Sequence, residues 1–134
     1  MISKIIKKEI GQYALQYEFN SSINGQIAYA RVDFFPHMPH FKWALISNLY
    51  VSRKYRRQGF ATALLQKIIA DICTKDRGLY LLVSQDNTQA ISVYLNLGFQ
   101  KVREYQFPNT KGKYYVLAYG DGDKNQLMKV DFSN

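Results

Sequence analysis

From Trp43 to Val83 the chain changes character in a fixed order. An apolar run (Trp43 to Val51) is followed by a basic segment, an amphipathic stretch (Gly59 to about Lys75) and a second apolar run (Leu79 to Val83). No other feature constrains the fold as much. Ala61, Leu64, Leu65, Ile68 and Ile72 recur at helical spacing, while Thr62, Gln66, Lys67 and Asp71 fall away from that stripe. Two strands joined through a helix lie parallel in one sheet with a right-handed crossover. Only Ser47 and Asn48 interrupt the apolar character of Trp43 to Val51, as expected for a central strand covered on both faces. Arg77-Gly78 predicts the helix stop.

The flanking sequence completes a mixed sheet. Tyr13, Leu15, Tyr17 and Phe19 alternate with Ala14, Gln16 and Glu18 from Gln12 onward, and Gln26 to Phe35 is rich in strand formers. The turn residues of Asn20 to Gly25 predict an antiparallel hairpin between them, ended by Pro36 and Pro39. Asp86 and Gln89 have capping-box spacing and open a second helix that runs to Leu97 and closes at Gly98. Alternation from Phe99 to about Phe107, Lys113 to Tyr119 and Gln126 to Phe132 predicts three further strands. Ile2, Ile6 and Ile10 fit a helix as well as a strand. The expected class is α/β (α+β), a single mixed, mostly antiparallel sheet around one parallel pair, with residues 1–134 as one domain.

Composition narrows the chemistry. One cysteine and two histidines leave too little for a disulfide or a structural zinc site, so no metal is expected. No apolar stretch approaches the roughly 18 residues of a membrane span, and lysines interrupt the N-terminal apolar residues, so a cytoplasmic protein without a membrane partner is expected. Eighteen Lys and Arg against ten Asp and Glu give a net charge of +8, which points to an anionic partner. Much of that charge sits at Arg53, Lys54, Arg56 and Arg57, where a strand enters the first helix at Gly59. A helix N-terminus carries unpaired amides, and a glycine there lets a phosphate come close. The segment has no Gly-Lys-Ser or Gly-Lys-Thr and no three-glycine dinucleotide fingerprint, which leaves a pyrophosphate held without metal.

Arg56, Gly59 and Ala61 match the acetyl-CoA signature of the GNAT acetyltransferase superfamily: Gln or Arg, two residues, Gly, one residue, then Gly or Ala. Asn87, Ala90, Tyr94, Gly98 and Phe99 match a later signature of the same family, and the chain resembles it most closely from Trp43 to about Gln106. The resemblance implies acetyl-CoA as cosubstrate and a primary amine as acceptor. It implies a thioester lying between the parallel strands where they splay apart, held by Leu49, Tyr50, Val51, Arg56, Arg57, Gln58, Gly59, Phe60, Ala61, Thr62, Asn87 and Tyr94. Tyr94 is then the catalytic proton donor to the departing thiolate, and amides near Leu49 and Tyr50 face the oxyanion.

Two departures from the family pattern stand out. Its members usually carry two helices between the first two strands, where this chain has only Asn20 to Gly25. Phe107 to Asn125 reads as an insertion before a last strand, with Tyr114, Tyr115 and Tyr119 either rebuilding an acceptor wall or packing on the sheet. No carboxylate lies in Trp43 to Val51, so the base stays open among a water ordered by Ser47 or Asn48 and the more remote Asp33, His37, His40 and Glu104. Two other functions also stay open. Lys4, Lys7, Lys8, Lys111, Lys113, Lys124 and Lys129 lie outside the cofactor loop and keep a nucleic-acid partner in view, as RNA or aminoacyl-tRNA. The absent base keeps a non-catalytic acyl-CoA-binding module in view. A homodimer through the late strands is compatible with either.

Overall fold

The computed structural model describes residues 2–21, 23 and 25–132. Seven strands form one sheet in the order β1-β2-β3-β4-β5-β7-β6. They are β1 (Ile2–Glu9), β2 (Ala14–Ser21), β3 (Gly25–Asp33), β4 (Trp43–Val51), β5 (Gly78–Ser84), β6 (Gln100–Gln106) and β7 (Lys113–Tyr119). The helices are α1 (Phe60–Ile72), α2 (Thr88–Leu97) and α3 (Lys124–Lys129). Every neighbouring pair is antiparallel except β4 and β5, which α1 joins as the crossover pattern requires. Of the early isoleucines, Ile2 and Ile6 belong to a strand, and Ile10 follows its end. The first two strands are therefore β1 and β2, joined through residues 10–13, and Asn20 to Gly25 links β2 to β3; Ser22 and Asn24 of that turn lie outside the described residues. Among the described residues no helix precedes β4.

Side chains alternate across the pleat, so each strand serves two layers. On one face Leu64, Leu65 and Ile68 of α1 are fully buried in a cluster with Tyr17, Ala30, Val32, Ile46 and Leu81. On the other, Trp43, Tyr80, Val116 and Ala118 surround Leu127 of α3.

Three expectations are corrected. Residues 126–132 are not a strand. Asp123 caps α3 by accepting from the Asn125 amide, Leu127 fills the core, and the Arg103 guanidinium donates to the carbonyls of Leu127, Met128 and Val130 at the helix end. Lys113 to Tyr119 is accordingly no insertion but an inner strand between β5 and β6. Tyr115 and Tyr119 pack on the α1 side, and Tyr114 sits beside Phe107 with ring centroids 5.2 Å apart. The third concerns caps. Asn87, not Asp86, begins α2, its Oδ1 accepting from the Ala90 amide at 3.2 Å, because the Asp86 amide turns back to Ser84 Oγ. Helix α1 ends at Cys73 in extended conformation, and Gly78 is needed elsewhere: a Cβ there would strike the Trp43 ring and the carbonyl oxygen of Tyr119.

Candidate active site

Strands β4 and β5 pair only from Trp43↔Gly78 to Leu45↔Tyr80. Beyond that they separate, and the reason lies in β4. Tyr29 pairs with Tyr50 and Arg31 with Ser47, so two steps along β3 oppose three along β4, and Asn48 takes the left-handed conformation at φ 53°. A bulge of this kind bends its strand, and asparagine tolerates the conformation better than most residues. The resulting gap holds about 230 Å³ between residues 46–49 and 81–84, with Asn87 and Tyr94 also on its wall.

The gap adjoins a larger cleft of about 900 Å³ at the start of α1. Of the twelve residues expected from sequence, eleven line it: Leu49, Tyr50, Val51, Arg56, Arg57, Gly59, Phe60, Ala61, Thr62, Asn87 and Tyr94. Gln58 does not, because its amide is spent holding the loop by donating to the Lys54 carbonyl at 3.0 Å. Arg53, Tyr55, Gln89, Ala90, Ser92 and Val93 complete the lining. Of these, Tyr55, Gln89, Ser92 and Val93 escape a motif search, although position 93, three after Ala90, lies next to the face of α2 that Asn87, Ala90 and Tyr94 mark.

The cleft is built for negative charge. No Asp or Glu lines it, whereas Arg53, Arg56 and Arg57 do. Arg56 Nε donates to the Val51 carbonyl at 2.9 Å and its guanidinium lies 5.8 Å from the Tyr50 ring centroid, which fixes the loop against the end of β4. Gly59 caps α1 with φ 88° and no side-chain hydrogen bond, so the amides of the first turn keep their unpaired donors. A Cβ on Gly59 would meet nothing within 4 Å, so the space in front of those amides belongs to the cleft.

Tyr94 stands where cleft and gap meet. It is 7% exposed, and burial pushes its phenol up to about 12. Its hydroxyl makes no hydrogen bond among the described residues, yet it is not sealed in the core, so it faces the shared space. Among the candidates for a base, Ser47 and Asn48 line the gap. Asp33 accepts from Ser47 Oγ at 3.2 Å, Glu104 on β6 accepts from Gln85, and His37 lies in a separate groove with Asp33.

The sequence profile of the acetyltransferase (GNAT) family matches residues 7–99. The chain belongs to that family. Among curated proteins it is 36% identical over 75 residues to the [ribosomal protein bS18]-alanine N-acetyltransferase of Escherichia coli K12, a match covering 52% of this chain. It spans about half, 49%, of that relative's length. Among solved structures, the S18-alanine N-acetyltransferase from E. coli superposes with a TM-score of 0.67 at 23% identity, covering 85% of this chain and 73% of that one. Arabidopsis thaliana NAA60 in complex with a bisubstrate analogue gives 0.68 at 20% identity, covering 81% and 76%. Arg56, Gly59 and Ala61, and Asn87, Ala90 and Tyr94, all line the one cleft. Among the described residues no helix is long and apolar enough to cross a membrane.

Proposed function

We propose that this chain is an N-acetyltransferase that passes the acetyl group of acetyl-CoA to a primary amine by direct attack in a ternary complex. The observation that carries this reading is the adjacency of an anion-binding cleft and the gap in the sheet, with Tyr94 on the wall of both. The first-turn amides of α1 and the arginines around them suit a pyrophosphate. The unpaired edge of β4 beyond Leu45 offers backbone groups to an extended amide chain, so the thioester end would lie in the gap beside Tyr94.

A thiol with a pKa of about 8.5 leaves readily as thiolate. With its own pKa near 12, Tyr94 stays neutral at physiological pH and supports the departing sulfur as a hydrogen-bond donor. The acceptor favoured is the α-amine of a peptide or protein. The curated relative is named for acetylating an alanine, and an α-amine with a pKa near 7.7–8.0 is partly neutral at pH 7 without help, unlike a lysine near 10.4.

The test is calorimetric titration with acetyl-CoA, with ATP as control, followed by acetyl transfer to peptides with a free N-terminal alanine. Saturable binding near one to one, clearly stronger than ATP, is expected. Gly59→Asp should weaken it by about a hundredfold or more, since it puts a charged side chain before the first-turn amides and strains φ 88°. Undiminished affinity in that variant would remove the helix N-terminus as the pyrophosphate site.

A further inference from the structure

On the sheet face opposite α1, one side chain of β4 that lines the gap has its proton already committed. Ser47 Oγ donates to Asp33 Oδ2 at 3.2 Å. A hydroxyl has a single proton, so this bond leaves Ser47 Oγ with only lone pairs to offer. Ser47 lines the gap in company with Leu49, Leu82 and Tyr94. Asp33 is itself held: Arg31 Nε donates to Oδ1 at 2.9 Å and its terminal nitrogen lies 2.8 Å from the same oxygen, which leaves Oδ2 for the serine. Burial first, and the nearby Asp33 charge second, push Tyr80 ionisation up, so Tyr80 faces the carboxylate as a neutral group. Asp33 and Arg31 also border a groove of about 750 Å³ that reaches past Leu45 and His37 to solvent. The hydrogen bond between Ser47 and Asp33 joins the wall of that groove to the wall of the gap.

We propose that Ser47 Oγ receives the attacking amine of the acceptor, and that Asp33 is the positioning residue that keeps the serine lone pairs turned toward it. The proposal rests on the acetyltransferase reading above. The neutral amine gives an N–H to Ser47 Oγ, which aims the nitrogen lone pair at the thioester carbonyl. As the C–N bond forms, positive charge builds on nitrogen and its N–H becomes far more acidic than in the free amine. That proton passes to Ser47 Oγ while the serine proton moves to Asp33 Oδ2 and from there to solvent. The C–S bond breaks with its electron pair on sulfur, and the thiolate takes up one proton, so the proton lost by the amine balances the one gained by the thiol.

The experiment compares the full chain with Ser47→Ala, Ser47→Thr, Asp33→Asn and the double variant Asp33→Asn/Ser47→Ala, measuring acetyl-CoA affinity by calorimetry and acetyl transfer to an alanine-starting peptide. Ser47→Ala and Asp33→Asn should each lower kcat by about tenfold or more while acetyl-CoA affinity stays within about twofold. The double variant should lose no more than the worse single one, because both act through one hydrogen bond. Ser47→Thr, which keeps the hydroxyl, should recover most of the loss. A Ser47→Ala enzyme with kcat within about twofold of the parent, or single losses that multiply in the double variant, would overturn the proposal. Where Asp33→Asn loses acetyl-CoA binding through misfolding, the Ala and Thr pair at Ser47 decides. A parent chain that binds no acetyl-CoA brings down the acetyltransferase reading instead, and that failure is seen before any variant is made.

Discussion

At Tyr94 the same burial that raises the phenol pKa also fixes where its hydroxyl can point. The ring packs 5.7 Å from Phe99 and only the polar end reaches the space shared by cleft and gap. Transfer of its proton to a thiolate of pKa about 8.5 is uphill by about 5 kcal/mol, so the useful contribution is a hydrogen bond made as charge builds on sulfur. Tyr94→Phe is therefore expected to lower kcat by roughly ten- to a hundredfold, with acetyl-CoA affinity nearly unchanged. Steady-state kinetics with calorimetry checks it, and an undiminished kcat would strip Tyr94 of the role. Tyr94, Asn87 and Gly59 were legible in sequence because each belongs to a short contiguous motif whose geometry is local. The Asp33–Ser47 hydrogen bond was not, since it depends on the β3–β4 register and on a bulge that shifts that register by one residue.

Elements with one strong period were readable and short ones were not. Helix α1 carries a full apolar stripe, and β4 coincides with its apolar run, so both stand where periodicity puts them. Helix α3 has six residues and one fully buried anchor, Leu127, and an alternating pattern over so short a span fits either period. The role of Gly78 was equally hidden, because it comes from a neighbour distant in sequence. Trp43, the chain's one tryptophan, donates its indole N–H to the Asp123 carbonyl at 2.8 Å and lies where a Cβ on Gly78 or Gly122 would collide with its ring. The pair Trp43↔Gly78 is also the closed end of the β4–β5 opening. Gly78→Ala should cost about 1–3 kcal/mol by overpacking, shift the tryptophan emission and weaken acetyl-CoA binding by displacing the root of the gap. Thermal unfolding followed by tryptophan fluorescence reads the first two effects together. An unchanged melting temperature with unchanged emission would mean that the ring yields freely.

Across the whole molecule, the two sheet faces are covered unequally. Helices α1 and α2 lie on one face, while α3 reaches only the β4–β7 part of the other, leaving polar residues over β2 and β3. There Glu18 is 2% exposed and accepts from the side chains of Gln16, Asn20 and Gln26, with Lys8 Nζ 2.8 Å away. Burial alone would raise its pKa, but the hydrogen bonds from Asn20, Lys8 and Gln16 and the Lys8 charge outweigh burial and take it from 4.5 down to about 2. A carboxylate whose pKa falls on folding adds stability that is fully present above the unfolded value and disappears as the folded value is approached from above. The window here runs from about pH 4.5 to pH 2, and the contribution at neutral pH is of order 3 kcal/mol. Asp71, which accepts from the Tyr17 hydroxyl and lies 3.2 Å from Lys67, is also held below its usual pKa and adds to the same acid loss. Glu18→Gln separates the two, removing the charge while keeping the side-chain shape. Urea unfolding at pH 7 should show the variant less stable, and between pH 4.5 and 2 its stability should fall less steeply than the parent's. Parallel curves over that range would show that Glu18 is neutralised without cost, and that the acid sensitivity of the fold lies with Asp71 and its lysines.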